Sequence, residues 1–262
     1  MPCRVVSNPD RLGFLVERPF AHRGLHDAEA GIVENTAEAF RAAIRKGYAI
    51  ECDVVLAGDG EAVVFHDDRL ERLTTGSGRT DARSVAELKA IPFRQEGATG
   101  FLTLPELAEL VDGRVPLLVE MKSYWNGDVR LADRVVAHLR DYPGPLAVMS
   151  FDPVLLAHVR LLAPEMVRGL TACPFTHAFW RGVLPTPLRI SLQMMDHLET
   201  TRPEFLSFDA DALPSWQAAM FRQAGLPVLC WTVRDARTAC RVRRYADRIT
   251  FEGFLPPAGP CR

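Results

Sequence analysis

Two apolar runs in this sequence carry charged residues spaced two apart. In Tyr48-Ala49-Ile50-Glu51-Cys52-Asp53-Val54-Val55, Glu51 and Asp53 share one face of any strand the run forms, and Cys52 points the other way. Val115-Pro116-Leu117-Leu118-Val119-Glu120-Met121-Lys122 repeats the pattern with Glu120 and Lys122. Carboxylates on apolar strands lose hydration and repel one another unless a positive charge lies between them. Three of them converging beside one ammonium offer oxygen ligands only, which suits a hard divalent cation, Mg²⁺ or Ca²⁺, rather than zinc. The same residues also fit a buried salt-bridge cluster. Glu51 and Asp53 alone fit an exposed strand end, or one partnered by arginine.

Two histidines follow apolar runs in matching fashion, His22 after Pro19-Phe20-Ala21 and His66 after Val63-Val64-Phe65. Two imidazoles at strand ends beside a cation can divide the removal and return of a proton; singly, each reads as a structural hydrogen-bonding residue. Arg23 offers a planar fork for phosphate oxygens, and Gly24 permits close backbone approach. His26, His158, His177 and His197 stand in no comparable context.

These residues need a scaffold that brings strand ends together. Short apolar runs at Pro19–His22, Tyr48–Val55, Val115–Met121, Leu146–Ser150, Met166–Thr171, Phe205–Phe208, Pro227–Thr232 and Arg248–Phe251 read as strands. Amphipathic stretches at Asn35–Lys46, Leu104–Val111, Val129–Asp141, Pro153–Ala163, Pro214–Ala224 and Asp235–Tyr245 read as helices. Eight β/α units in this length predict an α/β fold, a closed (β/α)8 TIM barrel, with an open doubly wound sheet as the alternative. Barrel sites lie at the C-terminal ends of the strands, where the pair Glu120 and Lys122 falls. A hairpin from Val54–Leu56 through Gly58-Asp59-Gly60 into Ala62–Phe65, then a short helix near Ser84–Ala90, predict a small insertion after the second strand, at about residues 56–101. The whole chain, 1–262, reads as one domain. The stretch from Cys173 to Arg202 is rich in Phe, Trp, Pro and Met and reads as a second wall, with Phe175–Trp180 on a loop at the active end. The alternative is that these rings pack on neighbouring helices.

The 262 residues are 48% hydrophobic and 24% charged, which is globular and excludes collagen-like, coiled-coil and largely disordered classes. A net charge of -2 recommends no nucleic-acid partner. No run approaches the ~18–20 apolar residues of a transmembrane segment. Arg4, Asp10, Arg11, Glu17 and Arg18 leave no room for the apolar core of a secretory signal. Cys3, Cys52, Cys173, Cys230, Cys240 and Cys261 form no C-x-x-C pair, so reduced thiols and a cytoplasmic location are expected.

One ordered series ties these readings together. It comprises His22-Arg23-Gly24, Glu34-Asn35-Thr36, Glu51-Cys52-Asp53-Val54, Asp59-Gly60, His66-Asp67-Asp68, Thr75-Gly76-Ser77-Gly78, Glu120-Met121-Lys122, Ser150-Phe151-Asp152 and Trp231-Thr232-Val233. It resembles the glycerophosphodiester phosphodiesterase family, from about residue 19 to 251. The resemblance implies a (β/α)8 barrel and metal-dependent hydrolysis of glycerophosphodiesters to glycerol 3-phosphate and an alcohol. It places metal ligands on Glu51, Asp53 and Glu120, acid–base catalysis on His22 and His66, and substrate binding on Arg23, Lys122 and Trp231. Three carboxylates, a divalent cation, Arg23 and Lys122 would leave about one net positive charge to attract a diester. Departures from the family pattern fall at Val33 (usually Pro), Arg234 (often Asn) and Phe251-Glu252 (usually Asp or Asn after Thr), and they bear on the substrate pocket. A lysophospholipase D-type enzyme on the same barrel and a catalytically silent binding protein are the rival readings.

Overall fold

The computed structural model describes residues 9–257. Ten strands run in chain order: β1 (Phe20–Ala21), β2 (Ala49–Leu56), β3 (Ala62–Val64), β4 (Leu102–Thr103), β5 (Leu117–Met121), β6 (Leu146–Ser150), β7 (Arg168–Ala172), β8 (Phe205–Asp209), β9 (Val228–Val233) and β10 (Arg248–Phe251). Eight of them, all but β3 and β4, pair in parallel around a closed barrel. β1 closes it, with Phe20 opposite Ala49 on one side and Thr250 on the other. Closure leaves none of these eight strands at an edge and settles the choice against an open sheet.

Side-chain alternation then decides what faces inward. Phe20, Ala49, Leu118, Ala147, Met149, Phe205 and Leu229 pack together inside the barrel, sealed below by Leu12 and Leu15. Their neighbours one residue along, such as Ile50, Cys52, Leu117 and Val119, face the surrounding helices. A Cβ on Gly169 would meet the Phe205 ring at 2.1 Å, so glycine is what lets that ring fill the interior. Glu51 and Asp53 lie two and four residues beyond Ala49, and Glu120 and Lys122 two and four beyond Leu118. Period-two alternation therefore sends all four side chains inward, above the apolar layer.

The helices follow their caps. Thr103 accepts from the backbone of Glu106 while the Glu106 side chain returns to Thr103, and Leu104, Leu107 and Val111 on the helix so started are buried. Helix Ala37–Lys46 buries Ala39, Phe40 and Ala43 and ends at Gly47 in the left-handed conformation. The hairpin forms as expected, with Val54 opposite Val64 and Leu56 opposite Ala62, and β4 adds to it. Val55, Val63, Phe65, Leu70, Leu88, Phe93 and Phe101 give this inserted region a small core of its own.

The interval from Cys173 to Arg202 differs from expectation, because Phe175–Trp180 is not all loop. Short helices occupy Ala178–Val183, Thr186–Met194 and Leu198–Thr201. Cys52, Cys173 and Cys230 are buried free thiols and Cys240 is an exposed one. Burial pushes the Cys173 and Cys230 thiols up to about 12. Cys3, Cys261 and Arg4 lie outside the described residues. Among the described residues no helix is long and apolar enough to cross a membrane.

Candidate active site

Asp53 and Glu120 are direct neighbours in the parallel register of β2 and β5. The carboxylates of Glu51, Asp53 and Glu120 lie within 4.8 Å of one another, and the three residues are only 1%, 1% and 6% exposed. Lys122 Nζ sits between two of them, 3.1 Å from Asp53 and 2.6 Å from Glu120. Arg23 Nε lies 3.2 Å from the other Asp53 oxygen. Burial works to raise the Asp53 carboxyl, yet Lys122, His66 and Arg23 hold it well below the usual range. Glu51 goes the other way: burial, then repulsion from Asp53 and Glu120, pushes it well above that range. Its Oε2 accepts from the Arg23 backbone N–H at 2.9 Å.

Three acids against two cations, one of them shared with Glu34, leave this cluster short of positive charge. A hard divalent cation fits that deficit and the all-oxygen donor set.

The loop after β1 builds much of the surround. Arg23 and Gly24 both adopt positive φ, 56° and 77°. A Cβ on Gly24 would meet the Ala39 backbone at 2.9 Å, so glycine is required where this loop passes the helix. The turn lets Arg23 reach Glu34 through Nη1 at 2.6 Å. Asn35, also at positive φ, spans Asp53: its Nδ2 donates to Oδ2 at 3.0 Å, and its Oδ1 accepts from the Asp53 N–H at 3.3 Å.

Each histidine carries a carboxylate on Nδ1. His22 Nδ1 pairs with Glu252 at 2.5 Å, and His66 Nδ1 with Asp67 at 2.7 Å. That partner favours the tautomer protonated at Nδ1 and leaves Nε2 free to exchange a proton. Burial lowers the His22 pKa even though Glu252 works to raise it. Glu252 also holds Arg234 Nε at 2.8 Å, with His26 Nε2 at 3.6 Å. Asp67 takes Arg72, and Arg72 continues to Glu34. An unbroken relay therefore runs from His66 through Asp67, Arg72, Glu34 and Arg23 to Asp53.

Trp231 lies two residues past inward-facing Leu229, with Nε1 donating to the Ser207 carbonyl at 3.1 Å. Phe151 packs edge-on against it at 5.5 Å and reaches Trp180 at 5.0 Å. Trp180 in turn contacts Trp125, Phe175 and Phe179. The aromatic segment after β7 thus joins Trp231, although Phe175 is fully buried.

The structure therefore brings together the three carboxylates, Lys122, Arg23 and both histidines, and places Trp231 on β9 beside Phe151. Sequence reasoning missed the parts played by Asn35, Asp67, Arg72, Arg234 and Glu252. The last two stand out in the sequence only as departures from the family pattern. Phe251 pairs with Val233, so the next residue on each strand end is a neighbour of the other.

Fold and site define a barrel enzyme class with a buried cluster of three carboxylates, able to hold a metal ion, at the strands' C-terminal mouth. Residues 22–249 match the model of the glycerophosphoryl diester phosphodiesterase family, and the chain belongs to that family. It is 31% identical over 239 residues to a probable glycerophosphodiester phosphodiesterase 1 of Mycobacterium tuberculosis, covering 84% of each chain. An Oleispira antarctica phosphodiesterase, solved in complex with the product sn-glycerol-3-phosphate, superposes with a TM-score of 0.75 at 26% identity, covering 91% of this chain and 93% of that one. A Thermotoga maritima glycerophosphodiester phosphodiesterase gives 0.67 at 26% identity, covering 88% and 92%.

Proposed function

We propose that this protein hydrolyses glycerophosphodiesters to glycerol 3-phosphate and an alcohol, with Glu51, Asp53 and Glu120 holding one divalent cation, Mg²⁺ or Ca²⁺. The carrying observation is the trio of carboxylates within 4.8 Å of one another, flanked by two imidazoles that each keep Nε2 free. When bound, the cation supplies electrostatic polarisation of the phosphoryl oxygens. Arg23 and Lys122 bind the remaining phosphate oxygens and keep positive charge where negative charge builds in the transition state. One of His22 and His66 takes the proton of the nucleophile, water or the substrate's own glycerol hydroxyl, at Nε2, and the other returns a proton to the leaving alkoxide. Glu252 and Asp67 fix the two rings for that exchange. Trp231, with Phe151 and Trp180, forms an apolar wall for the glycerol or the leaving group.

The whole chain works as one barrel domain, with residues from about 56 to 101 as its insertion, in the cytoplasm and with its cysteines reduced. Its partner is the small-molecule diester, with no nucleic acid. The test is release of glycerol 3-phosphate from a panel of glycerophosphodiesters, with and without chelator. Chelator should abolish release, and divalent cation should restore it. No release from any diester overturns the reaction, and release indifferent to chelator overturns the metal.

A further inference from the structure

Residues 173–195 contain Arg181, Arg189 and His177 but no Asp or Glu. In a chain with a net charge of -2, that stretch is a local basic island. It follows β7, so its helices Ala178–Val183 and Thr186–Met194 stand at the mouth end of the barrel. Leu184 and Leu192, 3% and 2% exposed, anchor it to the core. The outer face is apolar. Of the eight large hydrophobic side chains exposed among the described residues, four lie here: Phe179 at 59%, Val183 at 44%, Ile190 at 53% and Met194 at 59%. Phe179 and Val183 are four apart on one helix, Ile190 and Met194 four apart on the next, so each pair shares a face.

The charges on this surface are uncommitted to acids. Arg181 donates to the Thr176 carbonyl, and Arg189 to the Phe175 carbonyl and the Thr186 hydroxyl. Neither meets a carboxylate among the described residues. Four exposed apolar side chains gathered within residues 179–194 mark an interaction surface rather than ordinary solvent-facing protein. Their mixture with unpaired arginines fits a partner with an apolar interior and a negative skin. A second copy of this chain fits poorly. A symmetric pairing would set this face against itself and bring arginine against arginine with no acid between.

We propose that this face docks on the surface of a phospholipid bilayer carrying anionic headgroups. Phe179, Val183, Ile190 and Met194 enter the boundary between headgroups and acyl chains, while Arg181 and Arg189 meet the headgroup phosphates. Trp180, next to Phe179, packs against Phe151, which in turn packs on Trp231. Docking therefore turns the mouth of the barrel toward the lipid. It does not depend on the reaction proposed for that mouth.

Co-sedimentation of the full chain with vesicles tests this. One set is phosphatidylcholine alone, the other phosphatidylcholine with phosphatidylglycerol, each at low and high salt. The protein should partition onto the anionic vesicles at low salt and leave them at high salt, where charge is screened. The double variant I190S/M194S should lose at least about tenfold in partitioning, and R181Q about fivefold. Both should melt like wild type and hydrolyse soluble glycerophosphoglycerol at the wild-type rate. Absence of binding to anionic vesicles at low salt overturns the proposal. So does equal binding by wild type and both variants. A concentration-dependent dimer in sedimentation velocity that I190S/M194S abolishes would assign the face to a second copy instead, also overturning it.

Discussion

Arg72 lays its guanidinium across Glu34, with Nη1 on one carboxylate oxygen at 2.9 Å and Nη2 on the other at 2.7 Å. The same side chain holds Asp67 through Nε at 2.6 Å. One residue of the inserted region thus fixes the carboxylate behind His66 and the carboxylate behind Arg23. Arg72→Met keeps an unbranched apolar stem and removes the fork. Residues that orient catalytic or ligating groups commonly carry about 10–100-fold, so kcat should fall in that range. Arg72 is half-exposed, and its melting temperature should hardly move. Steady-state kinetics with a thermal melt checks both; wild-type kcat would detach the relay from catalysis.

Asp53 is the best-compensated of the three acids and the one Asn35 grips. Asp53→Asn retains the shape and loses the charge. Titration calorimetry with Mg²⁺ and with Ca²⁺ should show affinity reduced by at least about tenfold, because a hard cation depends on formal ligand charge. Unchanged affinity removes Asp53 from the ligand set.

In the proposed reaction the histidines serve turnover more than binding. His22→Ala and His66→Ala should each lower kcat by about 10²–10⁴-fold, the usual share of general acid–base catalysis. Glu252→Gln, which keeps an acceptor for His22 but not its charge, should cost less than His22→Ala. A variant at either histidine with unaltered kcat loses its assigned role.

Asp67 makes stability depend on pH. Burial works to raise its pKa, but His66 and Arg72 hold it down to about 2, against roughly 3.9 for an unfolded Asp. Its ionised form therefore contributes fully above about pH 4, and that contribution is lost as pH falls toward 2. With solvent screening at the half-exposed Arg72, the amount is about 1 kcal/mol. Denaturant unfolding of wild type and Asp67→Asn should differ more at about pH 5 than at about pH 2.5. A pH-independent difference would show that the carboxylate's charge is not what stabilises.

Trp180 touches Trp125, Phe151, Phe175 and Phe179, so Trp180→Ala should lower the melting temperature by a few degrees. If its ring also faces substrate, KM for glycerophosphocholine should rise more than KM for glycerophosphoglycerol. A ring facing a cation is worth roughly 0.5–2 kcal/mol. Equal rises would make Trp180 a packing residue alone.

Most of the barrel could be read directly because strands carry their orientation in sequence. Glu51, Asp53 and Glu120 had to share the inward face once Ala49 and Leu118 did, and β6 and β10 have the bounds their apolar runs predict. Glu252 and Arg72 could not be read that way. Each meets its partner only through tertiary approach, 230 residues separating His22 from Glu252 and 38 separating Glu34 from Arg72. The helices between Cys173 and Arg202 escaped for the opposite reason. Phe179, Ile190 and Met194 face outward, so the apolar pattern that marks a buried helix face is missing there.

The pairing of β1 with β10 has a temporal side. His22 is made early in translation, but its partner Glu252 emerges 230 residues later. At about 5–20 residues per second the interval is roughly 10–50 s. Throughout that time the seam of the barrel is open, β1 has only β2 beside it, and the His22 ring has no acceptor for Nδ1. The growing chain can collect its three carboxylates well before it can orient the first of the two histidines proposed to transfer protons. Competence therefore arrives with the final strand, as a single late event rather than by degrees.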